Sequence, residues 1–201
     1  ITKEKTIELV DEIRERVPGI SIRTTLICGY QGETQKDHEE VLEWIGNSKF
    51  ERLGVFTYSH EENTHAYLLK DDVSPVIKKK RAEAGMKLQQ KISIELNKKM
   101  VGKTFKVLFD RVEGGNFVGR TEFDSPDVDN LVLVDVKKNY VRIGDFADVK
   151  IIGAKEYDLI GEVASSHPSL LQRGSKNKKT NKQLFLFIYQ MKISLFNAWP
   201  K

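Results

Sequence analysis

The sequence predicts an α/β segment followed by an all-β segment. First, an apolar run ends at a Gly-rich turn between Gly29 and Gly32, and Thr34 then caps a helix, with an acidic residue three positions on. Second, a long helix begins at Ser74-Pro75. Third, short β-rich runs alternate with turn residues from Val101-Gly102 to about residue 163, which is typical of a small barrel.

The first part predicts a parallel crossover unit. Apolar spacing, Gly, Pro and capping residues divide it into the following elements: helix 2–17, strand 20–28, helix 34–48 and strand 53–58. A strand–helix–strand unit with short loops is parallel and right-handed. Because a parallel sheet needs both faces covered, we expect further βα units upstream and interpret the chain as a piece of a longer one.

The linking helix carries both an apolar stripe and a basic run. Its buried face is expected to comprise apolar residues at helical spacing, namely Ile77, Ala84, Leu88, Ile92, Leu96 and Met100. The basic run at residues 78–81 is interpreted as a solvated face, with RNA contact as the lesser alternative.

The all-β part predicts a small five-stranded antiparallel barrel. Its strands are expected at residues 104–110, 116–120, 131–136, 148–153 and 159–163. The expected domains are therefore residues 1–73, a connecting helix at 74–100, the barrel at 101–163 and a tail at 164–201. The tail is polar and lysine-rich and is expected to be disordered. Its apolar stretch at 184–196 is shorter than the roughly twenty residues that span a bilayer, and a partner-binding segment is the alternative.

Composition excludes several classes of site. The net charge of +4 permits nucleic-acid contact without requiring it. A single cysteine, Cys28, excludes an internal disulfide or an iron–sulfur cluster held by this chain alone, and it is expected to be a buried small hydrophobe. The four histidines show no metal-ligand spacing, so no metal site is expected. No signal peptide is visible at the start, and a cytoplasmic location is expected.

The Gly-rich turn is the best candidate site that the residues themselves indicate. Gly29 and Gly32 permit unusual dihedrals and close approach of a ligand to the backbone. Ligands bind at the carboxyl ends of parallel strands, so residues 29–33 present half of a nucleotide-like site. The alternative is a plain strand-to-helix turn.

Five motifs resemble one enzyme family. They lie at residues 23–34 (Arg-Thr-Thr-Leu-Ile-Cys-Gly-Tyr-Gln-Gly-Glu-Thr), 50–59 (Phe-Glu-Arg-Leu-Gly-Val-Phe-Thr-Tyr-Ser), 89–93, 119–129 (Gly-Arg-Thr-Glu-Phe-Asp-Ser-Pro-Asp-Val-Asp) and 157–161. In this order they resemble the radical S-adenosylmethionine methylthiotransferases. The chain departs from that family at Cys28, Tyr30 and Gln31, where Val, Phe and Pro are usual, and the family's three-cysteine motif is absent.

The resemblance implies a fold, cofactors and a substrate. It implies the end of a radical-enzyme (β/α) barrel followed by the OB-like domain called TRAM. The cofactors implied are S-adenosylmethionine and two 4Fe-4S clusters, with cluster ligands outside this chain. The substrate implied is small-subunit ribosomal protein twelve, in which the β-carbon of an aspartate receives a methylthio group. No residue present here is assigned a catalytic role.

The resemblance also assigns cofactor-binding residues. In the family the Gly-rich turn lies beside S-adenosylmethionine, which implies contact through Gly29, Gly32 and Glu33. Phe56, Tyr58 and Ser59 end the next strand on the same side, where an aromatic ring could pack on adenine and Ser59 could bind ribose or carboxylate. The alternative for the aromatics is ordinary barrel core. Arg23 is interpreted as making a surface or supporting ion pair.

Charge in the barrel favours a protein substrate over RNA. The segment from residue 121 to 135 contains acidic residues and no basic ones: Glu122, Asp124, Asp127, Asp129 and Asp135. Such a face is expected to attract a basic ribosomal protein. Basic residues elsewhere on the barrel leave RNA contact possible. A tRNA-adenosine methylthiotransferase of the same family and a non-catalytic binding module remain the alternatives.

Overall fold

A computed structural model of the chain describes residues 2–126 and 128–164. Asp127 and the tail predicted to be disordered lie outside the described residues, apart from Ala164. In chain order the elements are α1 (Lys3–Arg16), β1 (Arg23–Cys28), α2 (Gln35–Ser48), β2 (Arg52–Thr57), a short 3₁₀ helix (His65–Leu68), α3 (Pro75–Lys98), β3 (Thr104–Glu113), β4 (Asn116–Arg120), β5 (Leu131–Asp135), β6 (Phe146–Ala154) and β7 (Asp158–Val163). The α/β-then-barrel prediction is confirmed.

The first two strands form a parallel sheet that is packed on one face. Their register runs from Arg23 opposite Arg52 to Cys28 opposite Thr57. Alternate residues, including Leu26 and Val55, are buried in a core shared with α1, α2 and α3. The opposite face is exposed or half-buried, and Phe56 on it is 60% exposed.

Helix α3 buries a largely polar and small stripe, so the predicted apolar stripe is wrong in part. Its buried residues are Lys78, Arg81, Ala82, Gly85, Gln89, Ile92, Ser93 and Asn97. Of the predicted set, Ile92 is buried, Leu88 and Leu96 are half-buried against the core, and Ile77 is 44% exposed. The reason is close packing on β2. A Cβ at Gly85 would lie 3.1 Å from a methyl carbon of Val55, so there is no room for a large apolar side chain at this position.

The second β structure is a closed five-stranded barrel with strand order β3-β4-β5-β7-β6. The prediction of an all-antiparallel barrel is wrong for one pair, because β5 and β7 are parallel. After β5 the chain crosses the barrel, and β6 pairs with β3. Strand β7 then lies between β6 and β5, antiparallel to β6 and parallel to β5. Closure leaves the barrel without a free edge.

Candidate functional site

The Gly-rich turn lies at the carboxyl end of β1, as predicted. Gly29 and Gly32 have φ values of +82° and +77°, which an L side chain rarely adopts. The Glu33 N–H donates to the Tyr30 carbonyl (3.0 Å), and the Tyr58 N–H donates to the Cys28 carbonyl (2.8 Å). The turn and the end of β2 therefore form one continuous edge of the sheet.

The predicted helix start at Thr34 is confirmed. The Thr34 hydroxyl accepts from the Asp37 N–H, and the Asp37 carboxylate accepts from the Thr34 N–H (2.8 Å). This reciprocal capping box stabilises the first turn of α2. It fixes the direction in which the chain leaves the Gly-rich turn.

The buried Glu33 carboxylate links the two ends of the turn to α3. Its Oε2 accepts the Gly29 N–H (2.5 Å), and its Oε1 accepts from Arg81 Nη1 (3.0 Å). Arg81 also donates to the Glu33 carbonyl (3.0 Å), and both side chains are less than 10% exposed. Burial raises the pKa of the Glu33 carboxyl, while the Gly29 N–H and Arg81 oppose the rise. Both carboxylate oxygens are engaged within the protein, so Glu33 shapes the turn.

The two glycines of the turn differ in what surrounds them. A Cβ at Gly29 would lie 2.3 Å from the Cγ of Lys78, so the alkyl stem of that lysine covers Gly29. At Gly32 no described atom lies within 4 Å of the same position, and its N–H donates to Asp72 (2.8 Å). Of the two, Gly32 is the one whose open side a ligand could approach.

An aromatic cluster lies beside the turn. The rings of Tyr30 and Tyr58 meet edge to face with centroids 5.1 Å apart. Lys78 Nζ lies 4.9 Å from the Tyr58 centroid and donates to Asp71 (2.6 Å). The Tyr58 hydroxyl and His60 Nδ1 are 3.2 Å apart. Tyr58 therefore adjoins the turn, at the edge where the resemblance implies it.

The other two predicted residues, Phe56 and Ser59, are exposed. Phe56 lies on the exposed face of the sheet, with its ring over Gly54. Ser59 is exposed, and its hydroxyl donates to Glu61 (2.5 Å). The structure thus brings Gly29, Gly32, Glu33 and Tyr58 together and leaves these two at the margin.

Sequence reasoning missed the two cations that hold this site. The interpretation of residues 78–81 as a solvated face is wrong for Lys78 and Arg81, which are 5% and 7% exposed. The two lie three residues apart on α3, and the intervening Lys79 and Lys80 are exposed. Residues i and i+3 share one face of a helix, which explains why these two are buried together, but an unbroken basic run does not by itself show which two turn inward.

Cys28 is a buried free thiol, as predicted. Burial, with a contribution from the nearby Glu33 carboxylate, raises its pKa to about 12. Within the described ranges, no group of three His, Cys, Asp or Glu residues could hold a metal ion. The helices that the structure describes include none with the length and apolar character needed to cross a bilayer.

The acidic residues of the barrel do not form the open face that their sequence suggests. Asp124 makes an ion pair with Arg52 and its side chain is 2% exposed. Asp129 makes an ion pair with Arg23 and its side chain is 6% exposed. The interpretation of these two as a docking surface for a basic protein is therefore corrected, because both turn inward to arginines of the sheet. Glu122 remains exposed.

Comparison with known proteins finds relatives that share one name. The chain is 56% identical to the ribosomal protein uS12 methylthiotransferase RimO of Flavobacterium johnsoniae over 163 residues, which are 81% of this chain and 37% of that protein. The RimO of Cytophaga hutchinsonii is 54% identical over 81% of this chain and 37% of its own length. The chain is homologous to the RimO methylthiotransferases. It spans under two fifths of the length of these curated relatives.

The barrel matches a family model by itself. Residues 101–164 match the TRAM domain model. A third relative, the RimO of Prosthecochloris aestuarii, is 48% identical over 81% of this chain and 38% of its own length. Because 163 or 164 residues of this chain are aligned with these relatives, the similarity extends well beyond the barrel.

Proposed function

We propose that this chain is the part of a radical S-adenosylmethionine methylthiotransferase that lies beside the cofactor and carries the TRAM barrel. The enzyme would add a methylthio group to the β-carbon of an aspartate in small-subunit ribosomal protein twelve. The observation that carries the proposal is the identity of about half the aligned residues to relatives named for that activity. The proposed location is cytoplasmic, where the ribosome is.

The residues at the turn are compatible with the cofactor. The open side of Gly32 allows a ligand to approach the backbone, and the Tyr30–Tyr58 pair offers an apolar surface next to it. Glu33 and Arg81 would keep the turn in this shape, and Lys78 closes the side of Gly29. We propose Gly32 and Tyr58 as contacts and Gly29 and Glu33 as residues that shape the turn. Phe56 and Ser59 would contact S-adenosylmethionine only at the margin of its site.

When bound, S-adenosylmethionine and two 4Fe-4S clusters would supply the radical, the sulfur and the methyl group. The single cysteine of the chain is buried and lies alone, so the cluster ligands would come from outside these residues. We therefore expect this chain by itself to bind no cluster and to have no methylthiotransferase activity. Anaerobic reconstitution followed by iron and sulfide analysis tests this. A stoichiometric 4Fe-4S cluster on the monomer would contradict it.

The substrate is tested in a chimera. Residues 1–164 replace the aligned segment of the Flavobacterium johnsoniae enzyme, and the chimera is expressed in a strain that lacks its own enzyme. Mass spectrometry of ribosomal protein twelve is expected to show the addition of one methylthio group. Modification of tRNA with unmodified ribosomal protein would move the assignment to the tRNA-adenosine branch. A folded, cofactor-loaded chimera that modifies neither would support a binding module instead.

The role of the turn is tested in the same chimera by Gly32→Val. The branched side chain would strain the backbone at φ +77° and fill the open side, so S-adenosylmethionine binding is expected to weaken. Gly19→Val is the matched control, because Gly19 has φ +82° with no described atom within 4 Å and precedes β1 at the other end of the sheet. Equal affinity in both folded variants would show that the turn makes no cofactor contact.

The barrel also has a surface that suits contact with RNA. Lys106 Nζ lies 5.2 Å from the centroid of the exposed Phe146 ring, and cation–aromatic surfaces of this kind suit nucleotides. With Asp124 and Asp129 engaged internally, less acidic surface is available to repel a phosphate backbone. We propose ribosomal protein twelve as the substrate and ribosomal RNA as an additional contact.

A further inference from the structure

One loop of the barrel makes the ion pairs with the sheet. The β4–β5 loop, residues 121–130, carries Asp124, Asp129 and Asn130 to the edge where β1 and β2 begin. Asp124 Oδ1 accepts from Arg52 Nε (3.1 Å) and from its Nη2. Asp129 makes its ion pair with Arg23.

The two arginines need these carboxylates. Arg23 and Arg52 are the first residues of their strands and stand directly opposite each other in the parallel register. Like charges in opposed positions destabilise a sheet. The Arg52 side chain is 10% exposed, so solvent does little to relieve the repulsion. The two aspartates of the β4–β5 loop neutralise this edge.

The same carboxylates hold the loop in the docking conformation. The Thr121 hydroxyl donates to Asp124 Oδ2 (2.5 Å), on the oxygen that does not face Arg52. The Ser125 N–H donates to Asp129 Oδ2 (2.8 Å). Each aspartate thus accepts a hydrogen bond from its own loop as well as pairing with an arginine, which restricts the direction of its carboxylate.

A third contact joins the end of α3 to the same loop. Asn97 is 1% exposed, and its Nδ2 donates to the carbonyls of Lys155 (3.0 Å) and Glu156 (3.2 Å). Its Oδ1 accepts from Asn130 Nδ2 (3.0 Å). The β4–β5 loop is thus joined at three points, at two arginines of the sheet and at the end of α3.

We propose that the β4–β5 loop is a docking element that fixes the orientation of the barrel on the sheet, with Asp124 and Asp129 as positioning residues. The barrel is thereby held at the amino-terminal edge of β1 and β2, opposite the Gly-rich turn at the carboxyl edge. The acidic loop contributes to an internal interface rather than to a surface for a partner. The proposal is independent of the substrate assigned above.

Residual dipolar couplings of the full, isotope-labelled chain test this orientation directly. In the unmodified chain, amide couplings from the sheet with its helices and from the barrel are expected to fit one common alignment tensor. In the double variant Asp124→Asn/Asp129→Asn, the two regions are expected to need separate tensors while each keeps its dispersed amide spectrum. The isosteric change removes charge and leaves side-chain volume almost unchanged.

Asp110→Asn is the matched control. Asp110 accepts from Arg120 (3.1 Å) within the barrel, so this variant loses an Asp–Arg pair that does not join the two regions. It is expected to keep the common tensor. Separate tensors in the unmodified chain, or an unchanged common tensor in the folded double variant, would overturn the proposal. If the double variant does not fold, the single variant Asp129→Asn is judged by the same criterion. This variant is expected to fold, because its partner Arg23 is 36% exposed and water can solvate the unpaired charge.

Discussion

The barrel and the sheet of this chain obtain their stability in different ways. The barrel pairs every strand on both sides, and Val107, Phe109 and Val149 in its core are completely buried. The sheet has two strands, packs one face on helices and leaves Phe56 exposed on the other. The barrel satisfies its backbone and core within about sixty residues. The sheet depends on side chains from α3 and from the barrel.

The two regions also differ in the charged groups that they bury. The buried polar groups Lys78, Arg81 and Glu33 lie in the sheet region, around the Gly-rich turn. Buried charges need partners and contribute less to stability than apolar packing. The sheet region, which buries more charged groups around the turn, is thus the one that holds the candidate site.

The largest contrast is expected from two phenylalanines. Phe109→Ala should destabilise the barrel by about 3–5 kcal/mol, because it leaves a cavity in a closed core. Phe56→Ala should change the free energy of unfolding by no more than about 0.5 kcal/mol, because its ring is mostly exposed. Urea unfolding of both variants measures the difference. A cost at Phe56 equal to that at Phe109 would show that the outer face of the sheet is covered.

The two glycines of the turn give the next contrast. Gly29→Ala and Gly32→Ala should each cost about 1–2 kcal/mol for a left-handed backbone. Gly29→Ala should cost about 1–3 kcal/mol more, because the new Cβ overlaps the Lys78 side chain. Thermal or urea unfolding checks this. If the two variants are equally stable, Lys78 does not pack on the turn in solution.

Glu33 predicts an unusual pH dependence. Burial raises the pKa of this carboxyl above its ordinary value of 4.5, so above that pH the folded chain still holds a proton that the unfolded chain has released. The contribution of Glu33 to stability should therefore fall as pH rises from 4.5 through the raised pKa. The measurement is the difference in unfolding free energy between the unmodified chain and Glu33→Gln across this range. A difference that stays flat or grows with pH would contradict the burial of this group.

The smallest effect is expected on the barrel surface. Asp110→Asn removes a partly exposed ion pair with Arg120 and should cost about 0.2–1 kcal/mol. Chemical denaturation at low and high salt measures it, and added salt should reduce the cost further. A larger loss would mean that the exterior of the barrel contributes to its stability as the core does.

Local features were predictable from sequence because they depend on neighbouring residues. The turn at residues 29–33 and the cap at Thr34 follow from Gly conformational freedom and from Thr-to-Asp spacing. The burial of Cys28 also follows from its place in an apolar, alternating strand. Each of these predictions needed fewer than about ten residues of context.

Pairings between distant residues were not predictable in this way. The sequence shows that Asp124 and Asp129 are acidic, but their partners Arg52 and Arg23 lie far upstream. The residues 78–81 show a basic run, but which of them turn inward depends on the face that α3 presents to β2. The residue type alone does not show whether a charged side chain is buried in an ion pair or solvated, because that depends on the cost of desolvation and on whether a partner lies within reach.

The amino-acid sequence was enough to predict the order of the elements, the Gly-rich turn, the helix caps and the resemblance to the methylthiotransferases. Three features required the folded chain: the parallel pairing of β5 with β7, the packing of Lys78 over Gly29, and the ion pairs of the acidic β4–β5 loop with the sheet. The two groups of features differ in the range of the interactions that produce them. Backbone propensities and capping act over a few residues, whereas strand insertion, close packing and buried ion pairs arise when segments distant in the chain meet.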